Sequence, residues 1–396
     1  MILADLVRTV GVESFSCAWL AHRHATQTPA LDGLTTTRIE RRYETAFRPV
    51  RGLVGELISA TALRALRPAM LRNCTRQVLR LIERQKPDQL LAVLESPAAI
   101  QVAARVHRQC GIPLLALVWD DVELFCRQAA FDRWTRRWVH RDFAHVLQNS
   151  VRTAVICENM QKAYADRYGI SSQIVRHGIP ADESPSRDDP EVRTDGPWLV
   201  GFAGSVTAPD CLNALVRVLD SMNWRFAGRD IALRLVGARY VLDSRKPQRI
   251  EYYGWRSVAE TRQLLGECDL LFLPQSFGSE LRFFSELSFP TKLSTYVAAR
   301  RPILLHAPQN ASLSAFWDDH DLGPRCNLLD EGAVGSALRR GLEPDATSRA
   351  NWQRQIAHVH DSVLNVAEFE RGVRKLLGVE RHSEPAPVIA AAQASY

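Results

Sequence analysis

Residues 270–273, Leu-Leu-Phe-Leu, form a short apolar run stopped by Pro274, and residues 303–305, Ile-Leu-Leu, form a second just after Pro302. Short runs that are apolar at every position predict strands buried on both faces, as in parallel sheets. Between them, Pro290 opens a helix at its first turn, where a missing N–H does no harm. Leu293, Tyr296 and Val297 then recur at helical spacing. Two strands thus flank one helix, with a polar loop between the first strand's carboxyl end and the helix start. In open α/β sheets ligands sit at that point, and a helix amino terminus favours anions. Lys292, in the first turn, adds a point charge suited to a phosphate.

The same rhythm recurs on the amino-terminal side. A strand at 86–94 leads to a helix over 97–110 with Gly111 as its C-cap. A strand at 112–118 follows and ends in Trp119-Asp120-Asp121-Val122-Glu123. Acidic residues just past a parallel strand's carboxyl end are well placed for a site, which makes Asp120 and Asp121 candidates. The alternative for Asp121 is capping of a helix at 122–125. A basic, aromatic-rich helix over 127–143, a strand at 153–157, a helix at 158–169 and a strand at 174–180 complete this half, with His177 read as structural. The opening is less regular: 2–7 reads as a strand and 13–22 as a helix.

Residues 181–196 carry Asp, Glu, Ser, Pro and Arg with almost no apolar side chain and read as an interdomain linker. The second half opens with a strand from 198 into the small-residue turn Gly204-Ser205, which lets backbone N–H groups approach a phosphate. Strands at 231–237 and 250–256 each end near a glycine, the second at Gly254. Helical patterns follow at 311–316, at 334–340 and, as one long helix, at 351–377. The pattern predicts an α/β protein of two Rossmann-like domains facing a cleft. The domains are expected at 1–180 and 197–378, with 379–396 a disordered tail.

Composition narrows the setting. A hydrophobic fraction of 46% with 24% charged residues is that of a soluble globular protein. No apolar run approaches the roughly 18 residues of a spanning helix, and the first residues lack the basic start of a secretory signal. A cytoplasmic protein is expected. The eight cysteines stand singly at no metal-ligand or redox spacing, which predicts reduced thiols and no metal site. A net charge of +6 suits phosphates or anionic lipid and is too weak to argue for nucleic acid.

The charge is concentrated. Between 38 and 86, twelve Lys or Arg stand against four Asp or Glu, over helices predicted at 51–65 and 68–84. Arg72, Arg76, Arg80 and Arg84 recur at steps of four opposite Leu71, Val78, Leu79 and Ile82. One reading is the solvated face of a core-packed helix. The other is a basic surface, from Arg64 and Arg67 through Arg84, that rests on anionic lipid or polyanionic glycan at the inner face of a membrane.

Residues 268–305 resemble the donor-binding core of GT-B glycosyltransferases. The likeness is closest to family 4 retaining enzymes, which often read Pro-x-Lys-Leu-x-Glu-Tyr-x-Ala-x-Gly-x-Pro-Val. Pro290, Lys292, Leu293, Tyr296, Ala298 and Pro302 match; Thr295 stands at the Glu and Arg300 at the Gly. The family's paired glutamates fall on Leu287 and Thr295, so Glu280 and Glu286 are stand-ins. Residues 86–180 are also similar to the family, with Trp119 at its His. Ser205 and Asp210 stand where the family often has an Arg and a Lys.

The resemblance implies transfer of a sugar from a nucleotide diphosphate sugar to a hydroxyl of a glycan, lipid-linked or small-molecule acceptor. It implies retention at the anomeric carbon, with no metal and no further cofactor. It places donor contacts at Gly204, Ser205, Gly254, Arg256 and Ser276, and continues them through Glu280, Glu286, Thr291, Lys292, Leu293 and Thr295. Asp120, Asp121 and Glu280 are the catalytic candidates. An inverting enzyme would instead need one base, from Asp120, Asp121 or Glu123. The remaining rival is a glycosyltransferase-like binding protein without activity.

Overall fold

A computed structural model describes residues 2–22, 33–42, 52–179, 195–237, 240–379 and 388–391. The chain divides into two compact units, Met1–Val175 with Glu370–Tyr396, and Arg176–Phe369. Most of the expected linker, 181–194, lies outside the described residues. The first unit holds β1 (Phe15–His22), β2 (Thr35–Arg41), β3 (Gln89–Val93), β4 (Leu114–Val118), β5 (Ser150–Val155) and β6 (Gln173–Ile174). The second holds β7 (Trp198–Ala203), β8 (Arg225–Phe226), β9 (Arg229–Val236), β10 (Ile250–Gly254), β11 (Leu270–Pro274), β12 (Ile303–His306) and β13 (Arg325–Cys326). A last strand, β14 (Val388–Ala391), belongs to the first.

The first unit is a parallel sheet in the order β2-β1-β14-β3-β4-β5-β6. Its opening reverses the sequence reading: Ile2–Val10 is a helix, α1, and Phe15–His22 is the strand β1. Seven of the eight residues of β1 are buried. A strand covered on both faces loses the alternation that would have marked it. A second correction concerns the basic stretch, which is a single helix, α2 (Gly52–Gln85), with Pro68 inside it. Proline lacks the N–H for the carbonyl four residues back and normally breaks a helix. Here Leu63, Arg67, Met70, Leu71 and Cys74 are all buried on either side of it, so packing keeps the two halves in line.

Downstream, α3 (Pro97–Cys110) starts as its sequence demands. Ser96 caps Ala99 N–H, Pro97 takes the first position and Gly111 closes the helix at φ 63°. The predicted basic helix at 127–143 is really two, α4 (Val122–Gln128) and α5 (Arg133–Asn149), because Asp132 caps a new start with bonds from Trp134 and Thr135 N–H. Helix α6 (Glu158–Tyr168) precedes β6.

In the second unit the parallel strands run β10-β9-β7-β11-β12-β13, with β8 antiparallel to β9. The helices are α7 (Pro209–Ser221), α8 (Val258–Gly266), α9 (Arg282–Leu287), α10 (Lys292–Ala298), α11 (Ser312–Asp319), α12 (Glu331–Leu342) and α13 (Ala346–Ser362). Its core joins Val200, Phe202, Leu233, Leu270 and Phe272 of the sheet to Leu212 and Leu215 of α7 and Leu338 of α12.

The long helix expected at 351–377 is broken. It becomes α13 and α14 (Val366–Leu377). Leu364 carbonyl accepts a bond from Ile179 N–H (2.6 Å), and Asn365 Oδ1 accepts Glu368 N–H (2.8 Å), so a local chain crossing and a cap replace one helical turn. The expected tail also needs correction at 388–391, which forms β14 between β1 and β3. The rest of that tail, 380–387 and 392–396, lies outside the described residues. Seven of the eight cysteines are buried, Cys110 is exposed, and all are free thiols.

Candidate functional site

In the second unit chain order reverses between β7 and β11, so a crevice opens outside the carboxyl ends of these two strands. They pair only at Leu270–Val200 and Leu271–Gly201 before diverging. That leaves Ala203 N–H and Phe272 C=O beyond the ladder, and buried backbone groups need partners. The hydroxyl of Tyr296, on α10, supplies both: it accepts from Ala203 N–H at 2.8 Å and donates to Phe272 C=O at 3.2 Å. Tyr296 is fully buried and its phenol is pushed well up by burial, so it stays a neutral brace.

Glycines floor the crevice. Gly204 follows β7 at φ +93°, and a Cβ there would meet Lys292 Cε at 2.9 Å. Gly237 follows β9 at φ +116°, where a Cβ would stand 3.1 Å from the Gly204 backbone. Gly237 N–H in turn donates to Gly254 C=O at 2.7 Å, at the end of β10. A side chain at 204 would displace the Lys292 stem, and one at 237 would crowd the Gly204 backbone, both at a φ that L residues rarely adopt.

Lys292 lies on this floor. Its ammonium donates to Ser205 C=O and sits 4.7 Å from the Phe202 ring. Burial lowers its pKa from 10.5 to about 8, because an ammonium withdrawn from water favours its neutral form. Helix α10 is short, and the N–H groups of Leu293 and Ser294 already donate to Pro290 and Thr291 carbonyls. Among the described residues, Lys292 is the cation set against this floor. An ammonium has three donors, and a diphosphate set beside Gly204 and Ser205 would meet it as a point charge.

Other residues singled out by sequence divide into two groups. Ser205 and Gly254 join Gly204 and Lys292 in the contacts just given. Ser276 instead braces the loop: its hydroxyl donates to Asp210 (3.0 Å) and accepts from Gly278 N–H (3.0 Å), while its carbonyl accepts from Ser285 Oγ (2.7 Å). Glu286 is engaged by Arg282 (2.6 Å) and by Asn310. Leu293 is wholly buried in the core, so its side chain is no donor contact. Glu280 and Thr291 are exposed, Thr295 is half-buried, and Arg256 is exposed with its guanidinium on the Trp255 carbonyl.

Asp210 and Gln275 went unremarked as organisers. Asp210, in the first turn of α7, accepts from Ser276 Oγ and from Phe277 N–H (2.7 Å), which ties the loop after β11 to the helix after β7. Gln275 is buried and donates to Ser285 C=O and Ser312 Oγ, both at 3.3 Å. An acidic residue in a helical first turn is the visible signal for the former; for the latter the sequence holds none.

In the first unit, Asp121 is 1% exposed and fully engaged. It caps α4 through Glu123 N–H (2.9 Å), accepts the Tyr164 hydroxyl (3.1 Å) and lies 3.6 Å from Arg167. Glu123 pairs with Arg127 (2.8 Å), Arg136 and His140 (3.2 Å). Burial opposes its ionisation, yet the hydrogen bonds from Arg127 and Arg136 win and hold its carboxyl below the ordinary range. The capping alternative thus describes Asp121, and Glu123 is the centre of an ion cluster that ties α4 to α5. Asp120 is half-buried at the end of β4.

No protein-family model matches the sequence, and no curated protein matches it. Solved structures do. The lipopolysaccharide glycosyltransferase WaaG is similar over 95% of this chain and 95% of its own, at 12% identity and a TM-score of 0.59. Sucrose-phosphate synthase from Thermosynechococcus elongatus covers 91% of this chain and 98% of its own, at 13% identity and 0.62. Apo OtsA covers 95% and 94%, at 10% identity and 0.63. The chain has the GT-B fold.

Proposed function

We propose that this chain is a glycosyltransferase that moves a sugar from a nucleoside diphosphate sugar to an acceptor hydroxyl. The observation that carries the reading is the ammonium of Lys292, laid over the glycine backbone of Gly204 and bonded to the Ser205 carbonyl at the switch point of the second sheet. Similar folds are used by WaaG, described as a glycosyltransferase of lipopolysaccharide biosynthesis, and by sucrose-phosphate synthase.

As the bond from the anomeric carbon to the diphosphate breaks, negative charge gathers on the leaving oxygens. A fixed cation already in place there stabilises that charge without rearrangement. Retention asks only that the acceptor be held near the anomeric carbon on the face the diphosphate leaves. It needs no carboxylate base, which agrees with Asp121 and Glu123 being tied up in the first unit. Thermal-shift and calorimetric titration against nucleoside diphosphates test the reading. Binding must require the diphosphate, and the anomeric configuration of the product, read by NMR, must match that of the donor. Equal affinity for nucleosides lacking phosphate would refute the donor site.

A donor-binding protein without transfer is the second reading. It is favoured by Glu286, which stands in for a family glutamate yet is engaged by Arg282 and Asn310. Hydrolysis of nucleotide sugars in the absence of acceptor separates the two, since an active site leaks to water.

The proposal extends to place: a cytoplasmic protein held reversibly on an anionic membrane, next to a lipid-linked acceptor. Arg72, Arg76, Arg80 and Arg84 of α2 are all exposed, which supports it. Arg67, expected among them, is wholly buried: it donates to Gln101 (2.8 Å) and lies over the Phe131 ring (4.9 Å).

A further inference from the structure

The first half of α2 exposes what helices usually hide. Leu53 is 79% exposed, Val54 62%, Leu57 56% and Ile58 39%. Leu53, Leu57, Thr61, Arg64 and Pro68 follow at steps of four, four, three and four, so they form one row along the helix surface. That row runs into a groove of about 580 Å³ between α2 and α5, lined by Arg64 and Pro68 on one side and by Trp134, Arg137, Trp138 and Arg141 on the other. Both tryptophans are half-buried, and the three arginines are exposed. Beyond the groove, α2 continues with exposed Arg72, Arg76 and Arg80.

We propose that this face docks on an anionic phospholipid bilayer, with Leu53, Val54, Leu57 and Ile58 entering the acyl region and a lipid phosphate seated in the groove between Arg64, Arg137 and Arg141. The inference rests on the membrane placement given above and adds an insertion element and a headgroup site. The order of chemistry along the face is that of a bilayer read from inside out. Apolar side chains come first, then tryptophans and arginines at the depth of the headgroups. A second copy of the chain is the poorer occupant, since a two-fold contact through this face would oppose like-charged arginine groups. Among the described residues no helix is long and apolar enough to span the bilayer, so the attachment lies on the surface.

Vesicle co-sedimentation of the full chain tests it, using phosphatidylglycerol-containing and pure phosphatidylcholine vesicles across a salt series. Wild type is expected to bind only the anionic vesicles. Leu53→Ser with Leu57→Ser is expected to weaken binding about 100-fold, and Arg137→Ala with Arg141→Ala about 30-fold. These sites are exposed, so unchanged thermal unfolding checks the fold. Nucleoside diphosphate affinity should not move in either variant, which separates this test from that of the donor site. If the leucine variant or the groove variant binds like wild type, the inference fails, even if charge reversal at Arg72 and Arg76 still abolishes binding. It fails equally if wild type ignores anionic vesicles, or if Leu57→Ser instead dissolves a dimer that binds none.

Discussion

Lys292→Met removes the ammonium at the centre of the proposed donor site and keeps most of its stem. In the folded protein the lysine pKa falls from 10.5 to about 8. At 1.36 kcal/mol per unit, holding this charge at pH 7 costs about 3 kcal/mol of stability. Methionine relieves that and forfeits only what a neutral amine would make there, a hydrogen bond to Ser205 C=O worth about 1 kcal/mol. The variant is therefore expected to be about 2 kcal/mol more stable in denaturant unfolding at pH 7. Its affinity for a nucleoside diphosphate should fall by about 1.5–3 kcal/mol, or roughly 10- to 150-fold by calorimetry, with nucleoside affinity unchanged. Opposite signs for stability and binding mark a residue kept for its ligand. A variant that loses stability and binds diphosphate like wild type would refute the reasoning.

Three further outcomes follow from the same structure. Diphosphate affinity should decline as pH rises through about 8, where free Lys292 loses its proton, and binding near that pH should take up protons, seen as a buffer-dependent calorimetric heat. Tyr296→Phe strands Ala203 N–H and Phe272 C=O and should destabilise the second unit by about 2–3 kcal/mol in chemical unfolding. Glu123→Gln removes the charge shared by Arg127 and Arg136 and should cost about 1–2 kcal/mol at pH 7, since both guanidinium groups are more than a third exposed and can turn to water. Because the folded pKa of Glu123 is depressed, its contribution is present above the ordinary glutamate range and lost as pH falls through the folded value. Wild type and variant should therefore converge in acid, as pH falls below the ordinary glutamate range and through the lower folded value.

Much of the fold was written locally. The buried runs at 114–118, 198–203 and 270–273 became β4, β7 and β11 because a strand covered on both faces must be apolar at every position. Ser96, Pro97 and Gly111 fixed the ends of α3 through caps that need only near neighbours. The placement of Lys292 against Gly204 was legible for the same reason: it depends on a glycine at a strand end and a lysine at a helix start. What failed was whatever long-range packing decides. Pro68 stays inside one helix because buried side chains flank it on both sides, while 15–22 is a strand because β2 and β14 pair with it. Tyr296 looked like one more apolar-face residue until two diverging strands left it a donor and an acceptor to bridge. Asp121 and Glu123, placed by sequence at the mouth of a strand, acquired fixed partners only when α4, α5 and α6 came together. Sequence determines which residues can do a job; the tertiary contacts determine which of them are left to do it, because a buried polar group must satisfy its neighbours before it can serve a ligand.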